Sequence, residues 1–223
     1  MLRGNHESRV MTTSHNFREE CLYKYDQDVY RLCNDLFDCL PIVAVLNGKF
    51  ICMHGGLSPE YKRIEDINRE HRFQEPPDTG LIADILWSDP VDNENGHLTD
   101  DFTHNKQRGC SYTFGYTAIK KFLKRNKLLS CIRAHEVQFD GFKMHNWSDR
   151  KMPEVITIFS APNYCDSYKN TGAIIIFENS NFTFKKYKWT DHPYVLPNFM
   201  NLFEWSLPFI AAKSKLISNF YVL

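Results

Sequence analysis

The spacing of apolar residues changes period along the chain. Between residues 15 and 40, Phe17, Cys21, Tyr25, Val29, Leu32, Cys33, Leu36 and Leu40 recur at threes and fours with charges between them. That spacing predicts a helix with one apolar side, ended by Pro41, which has no amide proton to continue the ladder. Residues 42–46 and 49–53 are short apolar runs around Asn47-Gly48, a hairpin signal because both turn positions require positive φ. Residues 60–96 are mixed, with Pro76-Pro77 and an Asp/Asn/Gly-rich stretch at 89–96, and predict short helices and surface loop. Residues 117–126 predict a basic amphipathic helix carrying Ala118, Ile119, Phe122 and Leu123, followed by a strand that leads to His135. Residues 155–159 are a buried-type β run opening into 160–165. Residues 172–177 and 182–189 predict a second hairpin around Asn179-Ser180-Asn181.

Helices and strands interleave and the notable polar residues fall where strands end, so the expected scaffold is α/β, a sheet-based fold that carries its site on loops. From Asp191 onward the chain becomes dense in proline, aromatics and leucine. We place a boundary at about residue 195, with a body at 1–194 and a tail at 195–223.

Composition removes several function classes. Lys+Arg and Asp+Glu number 27 each, so no bulk basic field attracts nucleic acid. The N-terminus has no apolar signal region, and no apolar run is long enough to span a bilayer. The seven cysteines contain no Cys-x-x-Cys pair, which argues against a structural zinc and fits free or buried thiols in a reducing compartment, the cytoplasm with or without the nucleus.

The candidate chemistry lies in four blocks. Asn5 and His6 share a loop with Arg3 and Glu7; an asparagine oxygen can ligate a divalent cation, and a neighbouring histidine can carry a transferable proton. His54 and His135 each follow a β run and precede a loop, so the sheet fixes them while the loop leaves a metal accessible. Arg108, between Gln107 and Gly109, offers a planar fork to phosphate oxygens. Tyr164, after Pro162-Asn163, can donate to a phosphate or pack as core. Each residue alone has an ordinary structural explanation; the shared position of the blocks at strand ends gives them weight together.

The motifs LRGNHE (2–7), HGGLSP (54–59), LWSDP (86–90), RGCSY (108–112), RAHE (133–136) and FSAPNY (159–164) resemble the PPP family of metal-dependent serine/threonine protein phosphatases. Glu75-Pro76-Pro77, residues 102–112 and residues 192–209 are similar to its calmodulin-regulated calcineurin A branch. The resemblance implies a metallophosphoesterase-like sandwich of two mixed sheets flanked by helices, with a dinuclear centre of iron with zinc or manganese at the strand ends. By position, Asn5, His54 and His135 would ligate one metal, His6 would protonate the leaving oxygen, Arg108 would clamp the phosphate and Tyr164 would border the site. Reaction would be a one-step attack on phosphorus by a metal-bridging hydroxide.

The family's GDxHG and GDxVDRG motifs, which carry the other metal ligands, do not occur in this sequence. The expectation is therefore an N-terminally incomplete chain that lacks the first strands, holds at most one metal weakly and is inactive by itself, keeping partner and docking-peptide binding. Cys165 also departs from the leucine common in the calcineurin branch.

The tail concentrates Phe199, Met200, Phe203, Trp205, Leu207, Phe209 and Ile210, more apolar surface than one small helix can bury on its own body. That pattern fits a helix held in a partner's groove. The resemblance implies that the partner is a calcineurin B-like EF-hand subunit, with calmodulin acting on the full-length protein. It also implies that Trp205 and Phe209 border a groove for LxVP-type peptides, and that Thr183-Phe184-Lys185 forms an edge strand for PxIxIT-type peptides.

Overall fold

The computed structural model describes residues 1–92, 101–149, 151–179, 181–191 and 206–211. Ser8, whose Oγ accepts from the Met11 amide, caps α1 (Arg9–Ser14). Next come α2 (Phe17–Lys24) and α3 (Gln27–Cys39). The single helix expected over 15–40 is thus two. Tyr25 leaves the helical region at φ −139° and ψ −119°, and the Asp26 carboxylate accepts from the Val29 amide to start a new helix. Apolar period alone misses such a break, because both helices turn their apolar sides to the same layer: the Phe17 ring lies 6.4 Å from Tyr30 and 5.9 Å from Phe37.

After Pro41, β1 (Val43–Leu46) and β2 (Phe50–Met53) pair antiparallel, with Leu46 opposite Phe50 and both Asn47 and Gly48 at positive φ, the predicted hairpin. Residues 60–90 form α4 (Ile64–Ile67), α5 (Leu81–Trp87) and the two-residue β3 (Asp89–Pro90). Strand β3 joins β4 (Phe102–His104) and β5 (Tyr112–Phe114) in a small sheet ordered β3-β5-β4. Strands this short have no readable period, so β3 falls where loop was expected. The chain continues as α6 (Tyr116–Asn126), β6 (Ser130–Arg133), β7 (Phe142–His145) and β8 (Val155–Ile158). A second antiparallel hairpin of β9 (Gly172–Glu178) and β10 (Asn181–Tyr187) follows, with a tighter turn than expected.

The main sheet is mixed, in the order β1-β2-β6-β8-β7. Strands β2, β6 and β8 run parallel, and the two edge pairs are antiparallel. Alternation along β2 separates its faces. Ile51 and Met53 join Cys131 and Val155 in a core cluster with Leu81, Ile85 and Leu86 of α5 and Ile119, Phe122 and Leu123 of α6. Phe50, on the opposite face, meets the second hairpin, its ring 5.8 Å from Phe177 and 4.7 Å from Phe182. Phe142 stacks on Phe184 at 4.3 Å. Truncating a buried ring such as Phe50 costs about 3–5 kcal/mol. The expected α/β architecture holds, with α5 and α6 on one face of the main sheet and the β9–β10 hairpin on the other.

Contacts divide the chain into two compact units, 1–189 and 190–223. In the second, residues 190–191 and 206–211 are described, and 206–211 is helical. Phe209 lies there; Phe199, Met200, Phe203 and Trp205 lie outside the described residues. Among the described residues no helix is long and apolar enough to cross a membrane.

Candidate metal and phosphate site

The three parallel strands end on the same side of the sheet. Met53 leads into His54, Arg133 into His135, and Ile158 into the loop that carries Tyr164. Open sheets bind ligands outside the C-terminal ends of their parallel strands. Asn5, His6, His54, Arg108, His135 and Tyr164 all line one cleft there of about 630 Å³.

Buried Arg3 fixes the Asn5–His6 loop. Its amide donates to the Pro41 carbonyl at 2.8 Å, its Nε to the Glu7 carbonyl, its Nη1 to the Gln74 carbonyl and its Nη2 to Asp38. The Ser8 hydroxyl donates to the Asn5 carbonyl. His54 is held by the close approach of Gly55 to α5: a Cβ on Gly55 would lie 2.7 Å from the backbone of Leu86 and Trp87. His135 sits at φ +65°, a left-handed conformation that costs a non-glycine residue energy and recurs at functional positions. The Ala134 amide, donating to the His54 carbonyl at 3.0 Å, ties the two histidine loops together.

His54 Nε2 is 2.8 Å from Asn5 Oδ1 and 3.1 Å from His135 Nδ1. Burial, reinforced by the Arg133 charge, pushes the His54 pKa down to about 3 and that of His135 lower still, so both rings are neutral and have lone pairs to give. One proton on His54 Nε2 can satisfy both neighbours; a cation can replace it. With its Nδ1 accepting, His135 carries its proton on Nε2, which among the described residues is buried without a hydrogen-bond partner; Asp89 Oδ1 is 3.9 Å away. The donor set of one amide oxygen and two imidazoles fits a transition metal better than a hard cation. Among the described residues no group of three or more His, Cys, Asp or Glu could hold a metal; the donors that meet here are one amide oxygen and two imidazole nitrogens.

Arg108 donates from Nε to Asp89 Oδ2 at 2.9 Å, and its Nη groups have no partner among the described residues. The His6 ring packs edge-on against His15, centroids 4.9 Å apart. Burial and then His15 lower its pKa, and Glu7 opposes them. Tyr164 begins a 3-10 turn between Asn163 and Cys165, both at positive φ, and packs against Phe159 and Tyr168. Burial raises its pKa, so the phenol stays protonated and can donate. Thr183, Phe184 and Lys185 do not line this cleft; they lie on β10 in the second hairpin.

Sequence reasoning assigned no role to the residues behind the cleft. Asp89 accepts from Arg108, from Asn105 Nδ2 at 2.9 Å and from Arg133 Nη2 at 2.8 Å. Fully buried Arg133 also donates to the Gly55 and Ser88 carbonyls and to Glu136. Asp84 accepts from Ser58 at 2.5 Å and Ser111 at 2.8 Å, joining the loop after His54 to the loop after Arg108. The only signal for Asp89 and Arg133 was their place in LWSDP and RAHE; Asp84 lies in neither.

The profile of the calcineurin-like phosphoesterases matches residues 1–139, and the chain belongs to that family of metal-dependent phosphoesterases. It is 46% identical over 222 residues to the serine/threonine-protein phosphatase 2B catalytic subunit A1 of Saccharomyces cerevisiae. It is 41% identical over 239 residues to subunit A2 of the same yeast. Each match covers 96% of this chain and 40% of the relative, so the chain spans well under half the length of these proteins. The fold is also similar to a solved protein serine/threonine phosphatase of Saccharomyces cerevisiae described as similar to human phosphatase PP5. That match has a TM-score of 0.74 and 31% identity, and covers 87% of this chain and 61% of that one.

Proposed function

We propose that this chain carries the strand-end half of the active site of a calcineurin-type serine/threonine protein phosphatase, which hydrolyses phosphoserine and phosphothreonine monoesters. The observation that carries this reading is the convergence of Asn5 Oδ1 and His135 Nδ1 on His54 Nε2, at 2.8 and 3.1 Å, in a cleft that Arg108, His6 and Tyr164 also line.

Asn5, His54 and His135 would hold one metal of an iron and zinc or manganese pair. Bound metal would supply Lewis-acid charge at the phosphoryl oxygens and an acidified water. Arg108, braced through Nε by Asp89, turns its Nη groups to the phosphate as a preoriented fork. The Tyr164 hydroxyl borders the same oxygens. His6 gives a proton to the departing serine or threonine oxygen, and its lowered pKa makes the imidazolium a stronger acid. The 223 residues alone turn over little, because the carboxylates of GDxHG and GDxVDRG are not in this sequence.

The same reading assigns the tail from about residue 195 to a calcineurin B-like EF-hand subunit, with calmodulin acting on a full-length form. The β10 edge takes PxIxIT-type peptides: β10 pairs only with β9 among the described residues, so the backbone at Thr183-Phe184-Lys185 has a free ladder. The test is phosphopeptide hydrolysis by the full-length protein with Mn²⁺. Phosphate release that His54→Ala and Arg108→Ala abolish supports the reading; release indifferent to both overturns it.

A further inference from the structure

Helices α2 and α3 face each other through two stripes. On α3, Tyr30, Cys33 and Phe37 follow at i, i+3 and i+7; on α2, Phe17 and Cys21 follow at i and i+4. Phe17 contacts both Tyr30 and Phe37, which leaves Cys33 between those two rings, opposite the next turn of α2. That turn carries Cys21, whose pKa is raised by burial and then by the neighbouring Cys33. Cys21 is buried at 5% exposure, and Cys33 is half-buried.

We propose that Cys21 and Cys33 are a paired modification site, a vicinal dithiol that peroxide closes into an intramolecular disulfide between α2 and α3. Half-exposed Cys33 is the sulfur that a peroxide can reach. Its thiolate attacks one peroxide oxygen, the O–O bond breaks, and water and a Cys33 sulfenic acid result. The Cys21 thiol gives up its proton as its sulfur attacks Cys33, the S–O bond breaks and a second water leaves. Two thiols and one hydrogen peroxide thus become one disulfide and two waters, with the sulfurs oxidised by two electrons in all. A small dithiol reverses the step by exchange.

Helix α3 is tied to the segment around the Asn5–His6 loop. Asp38 of α3 accepts from Arg3 and pairs with Arg9, and Thr12 of α1 shares a hydrogen bond with Tyr30 of α3. A bridge across α2 and α3 would stiffen the layer that holds that loop. This inference does not depend on phosphatase activity.

The test is peptide mapping of the purified chain after brief hydrogen peroxide treatment and alkylation in denaturant. We expect a linked Cys21–Cys33 peptide, 2 Da lighter than its two thiol halves, with free thiols falling from seven to five and returning to seven after dithiothreitol. In Cys21→Ala the linked peptide should vanish and Cys33 should instead accumulate as sulfinic acid or as a glutathione adduct when glutathione is present. Wild-type protein whose Cys21 and Cys33 both remain alkylatable, or whose Cys33 pairs with another cysteine, overturns the proposal.

Discussion

Asp89 holds Arg108 by the Nε edge, 2.9 Å from carboxylate to guanidinium, so the far edge of the fork is aimed without being consumed. The same carboxylate neutralises buried Arg133. Asp89→Asn should therefore leave Arg108 present but loosely aimed. In the full-length protein we expect kcat/KM on a phosphopeptide to fall about 10- to 100-fold, roughly 1.4–3 kcal/mol, with weaker inhibition by inorganic phosphate. Stability should fall as well, since Arg133 loses a charge-assisted partner. Unchanged phosphate inhibition in a folded Asp89→Asn protein would show that Asp89 does not aim Arg108.

Replacing His6 should separate two substrate classes. His6→Asn is expected to slow hydrolysis of alkyl phosphoserine peptides by about a hundredfold or more, and to slow p-nitrophenyl phosphate much less, because nitrophenolate leaves without protonation. Equal losses on both substrates would mean that His6 serves structure or metal binding instead.

Metal retention should depend on the convergent donors. His54→Ala and His135→Ala are each expected to abolish tight Mn²⁺ or Zn²⁺ binding by calorimetry. The 223-residue chain alone should bind one ion weakly and show negligible phosphopeptide turnover. Turnover by that chain at the level of a full-length relative would remove the argument from the donor set.

His145 gives the fold a pH dependence. It is buried, its Nε2 is 3.1 Å from Thr157 Oγ1, and burial, with Lys143 and Arg133 nearby, pushes its pKa down from 6.5 to about 4. The folded chain thus favours the neutral ring. The stability it confers is fully present above pH 6.5 and is lost as pH falls from 6.5 to 4, about 3 kcal/mol in all. Urea unfolding across that range should lose about one proton of slope in His145→Asn. Identical slopes in the two proteins would contradict this.

The tail should bind without the catalytic chemistry. A peptide of residues 195–223 is expected to bind a calcineurin B-like EF-hand protein at micromolar concentration or tighter, and Trp205→Ala with Phe209→Ala should weaken it at least tenfold, since large aromatics carry most of such binding. Failure of the wild-type peptide to bind at micromolar concentration rejects the assignment.

Local order is legible in the sequence where chemistry acts over a few residues. Asn47-Gly48 fixed the first hairpin, Pro41 the end of α3, and the apolar spacing of α6 its buried side. Asn5, His54, His135, Arg108 and Tyr164 could be singled out because histidines at strand ends and motif blocks are visible one at a time. Their meeting in one cleft is a tertiary fact. For His54, His135 and Tyr164 it follows from β2, β6 and β8 running parallel, a relation between residues up to about a hundred positions apart that no short-range pattern encodes. Asp89, Arg133 and Asp84 were invisible as site residues for the same reason: their roles lie in hydrogen bonds to distant loops, and a buried charge leaves no period in the chain. The break at Asp26 was missed because a capping carboxylate interrupts a helix without interrupting its apolar side.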